Sequence, residues 1–275
     1  MSQSAVSSKR PARRRRLRRV LHVLVLFVIA YALVAYLVLP SLWRHYEHHP
    51  ALATAPKTTE TGTGIPGDPL NVALVGTRNE VVRAFLDAGW YPADPITLRT
   101  SLEIAERVLA DRPYKTAPVS TLYLFGRRQD LAYERPQGGS PRKRQHVRLW
   151  KSSDRGADGR PLWLGAATFD DRVGLSHYTG QVTHHIDADV DHERDQLMDD
   201  LAAAGQLVRT YQVTGVGPTF DGRNGGGDRY FTDGEMDVGV ISPDNSRQSA
   251  PPEVLPNPLA VTLKNRFWSW LRPLL

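Results

Sequence analysis

The sequence predicts an α+β domain, a mainly antiparallel sheet with a few packing helices, preceded by one N-terminal transmembrane helix. Three observations carry that expectation. Residues 20–39 form an unbroken apolar run. Capped helical patterns occur twice early and once late in the remaining chain. Between them lie short β-like runs separated by turn-rich stretches, with no regular strand–helix alternation.

The charge has to be located before it can be read. The chain has 275 residues, 35 basic and 29 acidic, for a formal +6. Residues 1–19 hold eight of the basic side chains and no acid, so the remainder carries 27 basic against 29 acidic groups. The excess is a basic tail and not a basic domain. Hydrophobic content of 41% supplies a sizeable core and excludes a disordered chain. With no cysteine, a disulfide scaffold, a thiolate zinc site and a thiol nucleophile are all excluded. Aromatic-interleaved basic motifs are absent, so no nucleic-acid partner is expected.

The apolar run Val20–Leu39 (VLHVLVLFVIAYALVAYLVL) has no charge and spans roughly the 30 Å bilayer core at 1.5 Å per residue. Trp43 and Tyr46 follow Pro40 at an interfacial position. The positive-inside rule places the basic tail, 1–19, in the cytoplasm and the rest on the extracytoplasmic (periplasmic) side of the inner or plasma membrane. A cleaved signal peptide needs a shorter apolar region and a nearby small-x-small site. The nearest such site, Ala51-Leu52-Ala53, lies a dozen residues beyond the run, so an uncleaved anchor is favoured.

Residues 40–67 read as a linker rich in Thr, Pro, Ala and Gly, and 68–242 as the globular domain. Leu70–Val75 suggests a first strand. Thr77 with Glu80 forms a capping box that opens a helix with Val81, Val82, Phe85 and Leu86 on its apolar face, ended by Gly89. Thr100 with Glu103 repeats the signal and opens a helix that stops before Pro113. Strands are expected over 122–125, 146–150, 162–169, 173–178 and 181–186. A helix capped by Asp189 or Asp191 then runs through Leu197 and Leu201 to Gly205, with closing strands at 207–213 and 236–241. Residues 243–258 form a second linker. Residues 259–275 form an amphipathic helix whose stripe of Leu259, Leu263, Phe267, Leu271 and Leu274 could meet lipid or dock on the domain.

The densest polar patch is THHIDADVDHERD, Thr183–Asp195, with three histidines and five carboxylates. His with Asp or Glu is a workable ligand set for zinc, manganese or iron, but no H-E-x-x-H signature is present. Acids also gather in a helix's first turn for electrostatic reasons. From this patch His184, Asp187 and Glu193 are the candidate catalytic residues. A second patch runs from Arg142 to Trp150, and in a strand His146, Arg148 and Trp150 share one face. His146 and Arg148, with Arg194, are the candidate substrate-binding residues, because arginine offers a bidentate fork for an anion. No metal ligand and no cofactor is assigned. The run FDGRNGGGDRYFTDG, Phe220–Gly234, lacks Gly-Lys-Ser/Thr and G-x-G-x-x-G, and reads as a hairpin connection. No G-x-S-x-G elbow exists, and Ser176 beside His177 makes no triad.

Several segments occurring in order resemble the LssY C-terminal domain family: DPLNVALVGT (68–77), AGWYPAD (88–94), LYLFGRRQDLAYE (122–134), HVRLW (146–150) and WLGAATFD (163–170). The most specific are TGQVTHHIDADVDHERD (179–195) and YFTDG (230–234). The resemblance implies a tail domain of bacterial membrane proteins, some with lipid-phosphatase-like or DedA-like membrane regions, which one helix replaces here. It brings forward Gln129, Asp130, His146, Arg148, His184, Asp187, Glu193 and Arg194, and attaches no reaction to them. The expected role is an accessory or binding module of the cell envelope, whose partners are the lipid bilayer and a further membrane protein. The alternative is a metal-assisted hydrolase of a phosphate or other ester, with His184, Asp187 and Glu193 as ligands or base and Arg148 holding the anion.

Overall fold

An apolar sequence with nothing to interrupt it forms helix, because each backbone group is satisfied within the segment. The computed structural model describes residues 10–39, 52, 55–93, 121–137, 143–175, 177–178, 180, 182–214, 221–243 and 246–275. These divide into two units, Met1–Tyr46 and Glu47–Leu275. In the first, α1 (Arg10–Leu33) continues through a π-helical turn, Val34–Val38. Its segment Arg14–Val38, 25 residues, is long and apolar enough to cross a membrane. Within its uncharged part, Val20–Leu39, the one strongly polar side chain, His22, places Nδ1 2.6 Å from the Arg18 carbonyl one turn back.

The second unit is built on a mixed, mostly antiparallel sheet. Its elements in chain order are β1 (Thr58–Glu60), β2 (Pro66–Pro69), β3 (Val72–Val75), α2 (Arg78–Asp87), β4 (Tyr91–Pro92), β5 (Tyr123–Leu124), β6 (Arg127–Arg128), β7 (Leu131–Pro136), β8 (Arg144–Arg155), β9 (Pro161–Leu175), β10 (Val182–Ile186), α3 (Val190–Ala203), β11 (Leu207–Thr214), β12 (Asp221–Arg223), β13 (Arg229–Phe231), β14 (Glu235–Ile241), β15 (Glu253–Val254) and α4 (Leu259–Leu271). The main sheet runs β15-β11-β14-β3-β9-β8-β7-β4, with β10 also paired to β9. Only β14–β3 and β11–β15 are parallel among these pairings. A small sheet, β2-β1-β5-β6, and the hairpin β12–β13 complete the set. The stretch 40–67, expected as a linker, therefore contains β1 and the start of β2. The capping box at Thr100 and Glu103 lies outside the described residues.

Local signals explain the helices. Thr77 Oγ1 accepts the Glu80 amide at 3.3 Å while Glu80 Oε2 accepts the Thr77 amide at 2.7 Å, the reciprocal box that starts α2. Asp189 caps α3 by accepting the His192 amide at 3.1 Å. Both helices pack on one face of the sheet. There Phe85 stacks on Tyr133 at 4.2 Å and meets Trp90 edge-on at 5.9 Å, beside Leu149, Leu197 and Leu201. The opposite face buries Trp150, Leu164 and Ala166 with Leu124 of the small sheet and Leu122 just before it.

Two strands share one edge of β9. β3 pairs with residues 162–165 and β10 with 170–175, leaving a gap between them. Asn71 fills it: its Nδ2 donates to the carbonyls of Ala167 and Val190, at 2.9 and 3.0 Å, while its Oδ1 accepts the Ala167 amide at 2.9 Å. A side-chain amide thus stands in for a peptide unit of the ladder, so the buried backbone groups remain satisfied.

The C-terminal helix α4 has two different faces. Val261 and Trp268 are buried, and Trp268 donates Nε1–H to Asp191 Oδ2 at 2.9 Å beside the Phe231 ring. Lys264 donates to the Asp233 carbonyl at 2.9 Å, and Arg272, just past the helix, donates to Asp189 at 2.6 Å and Asp195 at 3.0 Å. The other face leaves Leu259, Leu263, Phe267, Trp270 and Leu274 exposed, between 55% and 74%.

Candidate functional site

Strand alternation and register collect the first polar group. On β8, Arg144, His146, Arg148 and Trp150 point to one side, and the register sets Arg144 opposite Asp170 and His146 opposite Thr168. Asp170 is the centre. Arg144 donates Nε to Asp170 at 2.9 Å and Nη1 to Glu134 on β7 at 2.9 Å. His146 has Nε2 2.7 Å from Thr168 Oγ1 and Nδ1 3.3 Å from Asp170 Oδ1. Thr168 Oγ1 and Nε2 share a hydrogen bond, and the Nδ1 side of the ring is turned toward the carboxylate without hydrogen-bonding it. Arg148 donates to Asp68 of β2 at 2.9 Å. All of these side chains except the half-buried His184 are essentially out of water.

Electrostatics follow from that geometry. Burial pushes Asp170 up, but His146, His184 and Arg144 outweigh it and hold this carboxylate far below its usual range. Burial pushes His184 down to about 4 and also lowers His146, with Asp170 pulling against it in both cases. The cluster is a closed ionic layer, in which Arg144 and Arg148 already hold carboxylates.

A second group surrounds Arg194 on α3. This guanidinium reaches Asp233 at 2.7 and 3.2 Å, Asp195 at 2.8 Å and Asp191 at 3.4 Å, with Asp237 3.7 Å away. Asp191 also accepts the Thr232 hydroxyl at 2.6 Å, the Asp233 amide at 2.7 Å and the Trp268 indole. Its pKa is pushed up to about 6 by burial, with Arg194 opposing and Asp233 adding to the rise. Glu193 lies on the helix side of the sheet, where its partner is the Gln145 amide at 3.3 Å. Burial pushes Glu193 up to about 9, so it is a neutral acid at pH 7.

A third group joins three segments. His185 Nδ1 lies 2.5 Å from Asp228 Oδ1, and His177 Nε2 lies 3.8 Å from the same oxygen. The other oxygen, Asp228 Oδ2, accepts the Ile186 amide at 3.3 Å. The turn carrying Asp228 is tied by Asn224, whose Oδ1 accepts the amides of Gly226 and Asp228 at 3.0 and 2.9 Å. One potential ligand atom from each of His177, His185 and Asp228 lies within 4.8 Å of the others.

A family model described as LssY C-terminus matches residues 52–236. The chain belongs to the LssY C-terminal domain family. No curated protein and no solved structure matches it.

Within this LssY C-terminal domain the residues singled out from sequence fall into separate places. His146, Arg148 and His184 meet around Asp170. Arg194 is the centre of the second group. Glu193 bonds Gln145, whose side chain alternates away from His146 on β8, so it is on the opposite side of the sheet from His184. Asp187 is exposed and accepts the Asp189 amide at 2.8 Å. His184, Asp187 and Glu193 do not converge. The LssY C-terminal domain brings in partners that sequence reasoning missed: Asp68, Glu134, Asp170, Asp228 and Asp233. Adjacent histidines on β10 alternate, so His184 serves the first group and His185 the third. From the run expected as a hairpin, the described part Asp221–Phe231 forms one, and the run also delivers Asp228 and Asp233 to two different groups.

Proposed function

We propose that this LssY C-terminal domain is a single-pass, membrane-anchored binding module of the bacterial envelope. In this reading the basic tail stays in the cytoplasm and the domain works at the outer surface of the inner membrane. The observation that carries it is the divided α4. One face is locked to the domain through Trp268, Lys264 and Arg272. The opposite face presents Leu259, Leu263, Phe267, Trp270 and Leu274, with exposed Arg266 beside them. A rigid stripe of leucine and aromatics flanked by a cation suits the headgroup–acyl boundary, and a tether to the bilayer makes that boundary the nearest apolar phase. The arginines that could have held an anionic substrate are turned inward onto carboxylates, and the three candidate catalytic residues lie apart. Both points favour binding over ester hydrolysis by that set.

Because the chain has no cysteine, a single one can be placed at will. The test is a nitroxide on Phe267→Cys in full-length protein reconstituted in anionic nanodiscs, with Asp221→Cys on the exposed hairpin as reference. Collision rates with oxygen and with a water-soluble nickel chelate should show the Phe267 label in lipid and the Asp221 label in water. A Phe267 label as accessible to nickel as the reference overturns the bilayer reading and assigns the stripe to a protein partner.

A further inference from the structure

We propose that His177, His185 and Asp228 form a binding site for one divalent transition-metal ion, zinc by the chemistry of the donors. This site is separate from the α4 surface, and neither proposal depends on the other.

Two imidazoles and a carboxylate are the nitrogen and oxygen donors that zinc takes when it keeps a fourth position open. Such ligands stand about 3.3 Å apart when each is about 2.0–2.2 Å from a tetrahedral ion. The observed separations, 2.5 Å for His185–Asp228 and 3.8 Å for His177–Asp228, bracket that value. Against Asp228, shifts of under about 1 Å bring both rings to that spacing, the two rings' own ligand atoms already lie within 4.8 Å of each other, and an ion there replaces the hydrogen-bonded proton between His185 and Asp228.

The surroundings are built to hold these three side chains in place. The backbone amide of Ile186 fixes Asp228 Oδ2 and leaves Oδ1 to face both rings. The Asn224 side chain closes the turn beneath Asp228, and the His177 amide donates to the Gly226 carbonyl of that turn at 2.9 Å. Two glycines make room for the rings. A Cβ at Gly174 would stand 2.5 Å from His185 Nε2, and one at Gly227, where φ is +88°, would stand 2.7 Å from His177 Cβ. His185 and Asp228 are buried while the His177 side chain is 59% exposed. The ion would thus be gripped from inside and open to solvent on the His177 side, where its fourth ligand would be water.

The experiment uses the full-length chain in detergent, stripped with a chelator and titrated with zinc, and separately with cobalt. Wild type should take up zinc tightly and show the visible absorption of cobalt bound to nitrogen and oxygen ligands. His177→Ala, an exposed change that leaves the fold intact, should bind one equivalent fewer, or bind that equivalent at least 100-fold more weakly. Asp228→Asn should lose the same equivalent, with a circular dichroism spectrum matching wild type as the folding control. Identical zinc stoichiometry and affinity in wild type and His177→Ala would overturn the proposal.

Discussion

The two buried ionic groups are inverses of each other. Around Asp170 an anion is the centre, held by the Arg144 guanidinium with the His146 ring beside it; around Arg194 a cation is the centre and four carboxylates surround it. The first is assembled by strand register, and its arginines have anchors other than Asp170, since Arg144 also holds Glu134 and Arg148 holds Asp68. The second ties a helix to the β13–β14 turn and to α4; its carboxylates rest mainly on neutral donors such as Thr232, Trp268 and Gln212, and Asp195 alone shares a second guanidinium, that of Arg272. Buried charge is tolerable in either arrangement, but the redundancy differs. Loss of the anionic centre leaves paired cations, whereas loss of the cationic centre leaves like charges facing one another.

That contrast can be broken by experiment. Arg194→Met should be the most damaging change, costing about 3–5 kcal/mol at pH 7.5, with the deficit shrinking in acid as the stranded carboxylates take up protons. Denaturant unfolding at several pH values measures it. Asp170→Asn should cost less, about 2–3 kcal/mol, because Arg144 and Arg148 keep Glu134 and Asp68; a loss equal to that of Arg194→Met removes the redundancy argument.

Glu193→Gln, outside both groups, should stabilise. The native carboxyl keeps its proton up to about 9 while the unfolded one releases it near the ordinary value of 4.5. Native stability therefore falls as pH rises through that window, and glutamine avoids the loss, a gain of about 2–3 kcal/mol at pH 8. A thermal melt showing no gain at pH 8 would mean that Glu193 is ionised in the fold.

His184 works with the opposite sign. Its native pKa of about 4 lies below the unfolded value of 6.5, so the unfolded state binds the proton first and stability drops as pH falls from 6.5 to 4. Compared with His184→Gln, wild type should lose about 1–2 kcal/mol across that interval. A flat difference would place His184 in water. Smallest of all, Trp270→Ala should change stability by less than about 0.5 kcal/mol, where Trp268→Ala costs about 3–5, since only the latter is packed.

Much of this fold is written locally. Thr77 with Glu80 and Asp189 with His192 start helices through contacts three residues apart, and the alternation of His146, Arg148 and Trp150 places them on one face whatever covers it. The covering is not local. Asp68, which neutralises Arg148, belongs to β2, inside a Pro- and Gly-rich stretch too short to show a period. The sequence could align the row but not decide whether it met water, ligand or carboxylates. His177 and Asp228 are 51 positions apart and come together only because the β12–β13 hairpin folds onto β10. The acid-rich start of α3 looked like one patch, yet helical and strand geometry distribute it among three surroundings.

Asn71 makes the main sheet independent of β10. Because its amide closes the ladder beside Ala167, opening of β10 as a flap would leave the β3–β9 and β9–β8 pairings in place. Amide exchange should then register two clocks on the same strand, fast along Arg172–Leu175 and slow along Leu162–Gly165. His185 rides on the fast half, so whatever engages it would act as a latch on the flap.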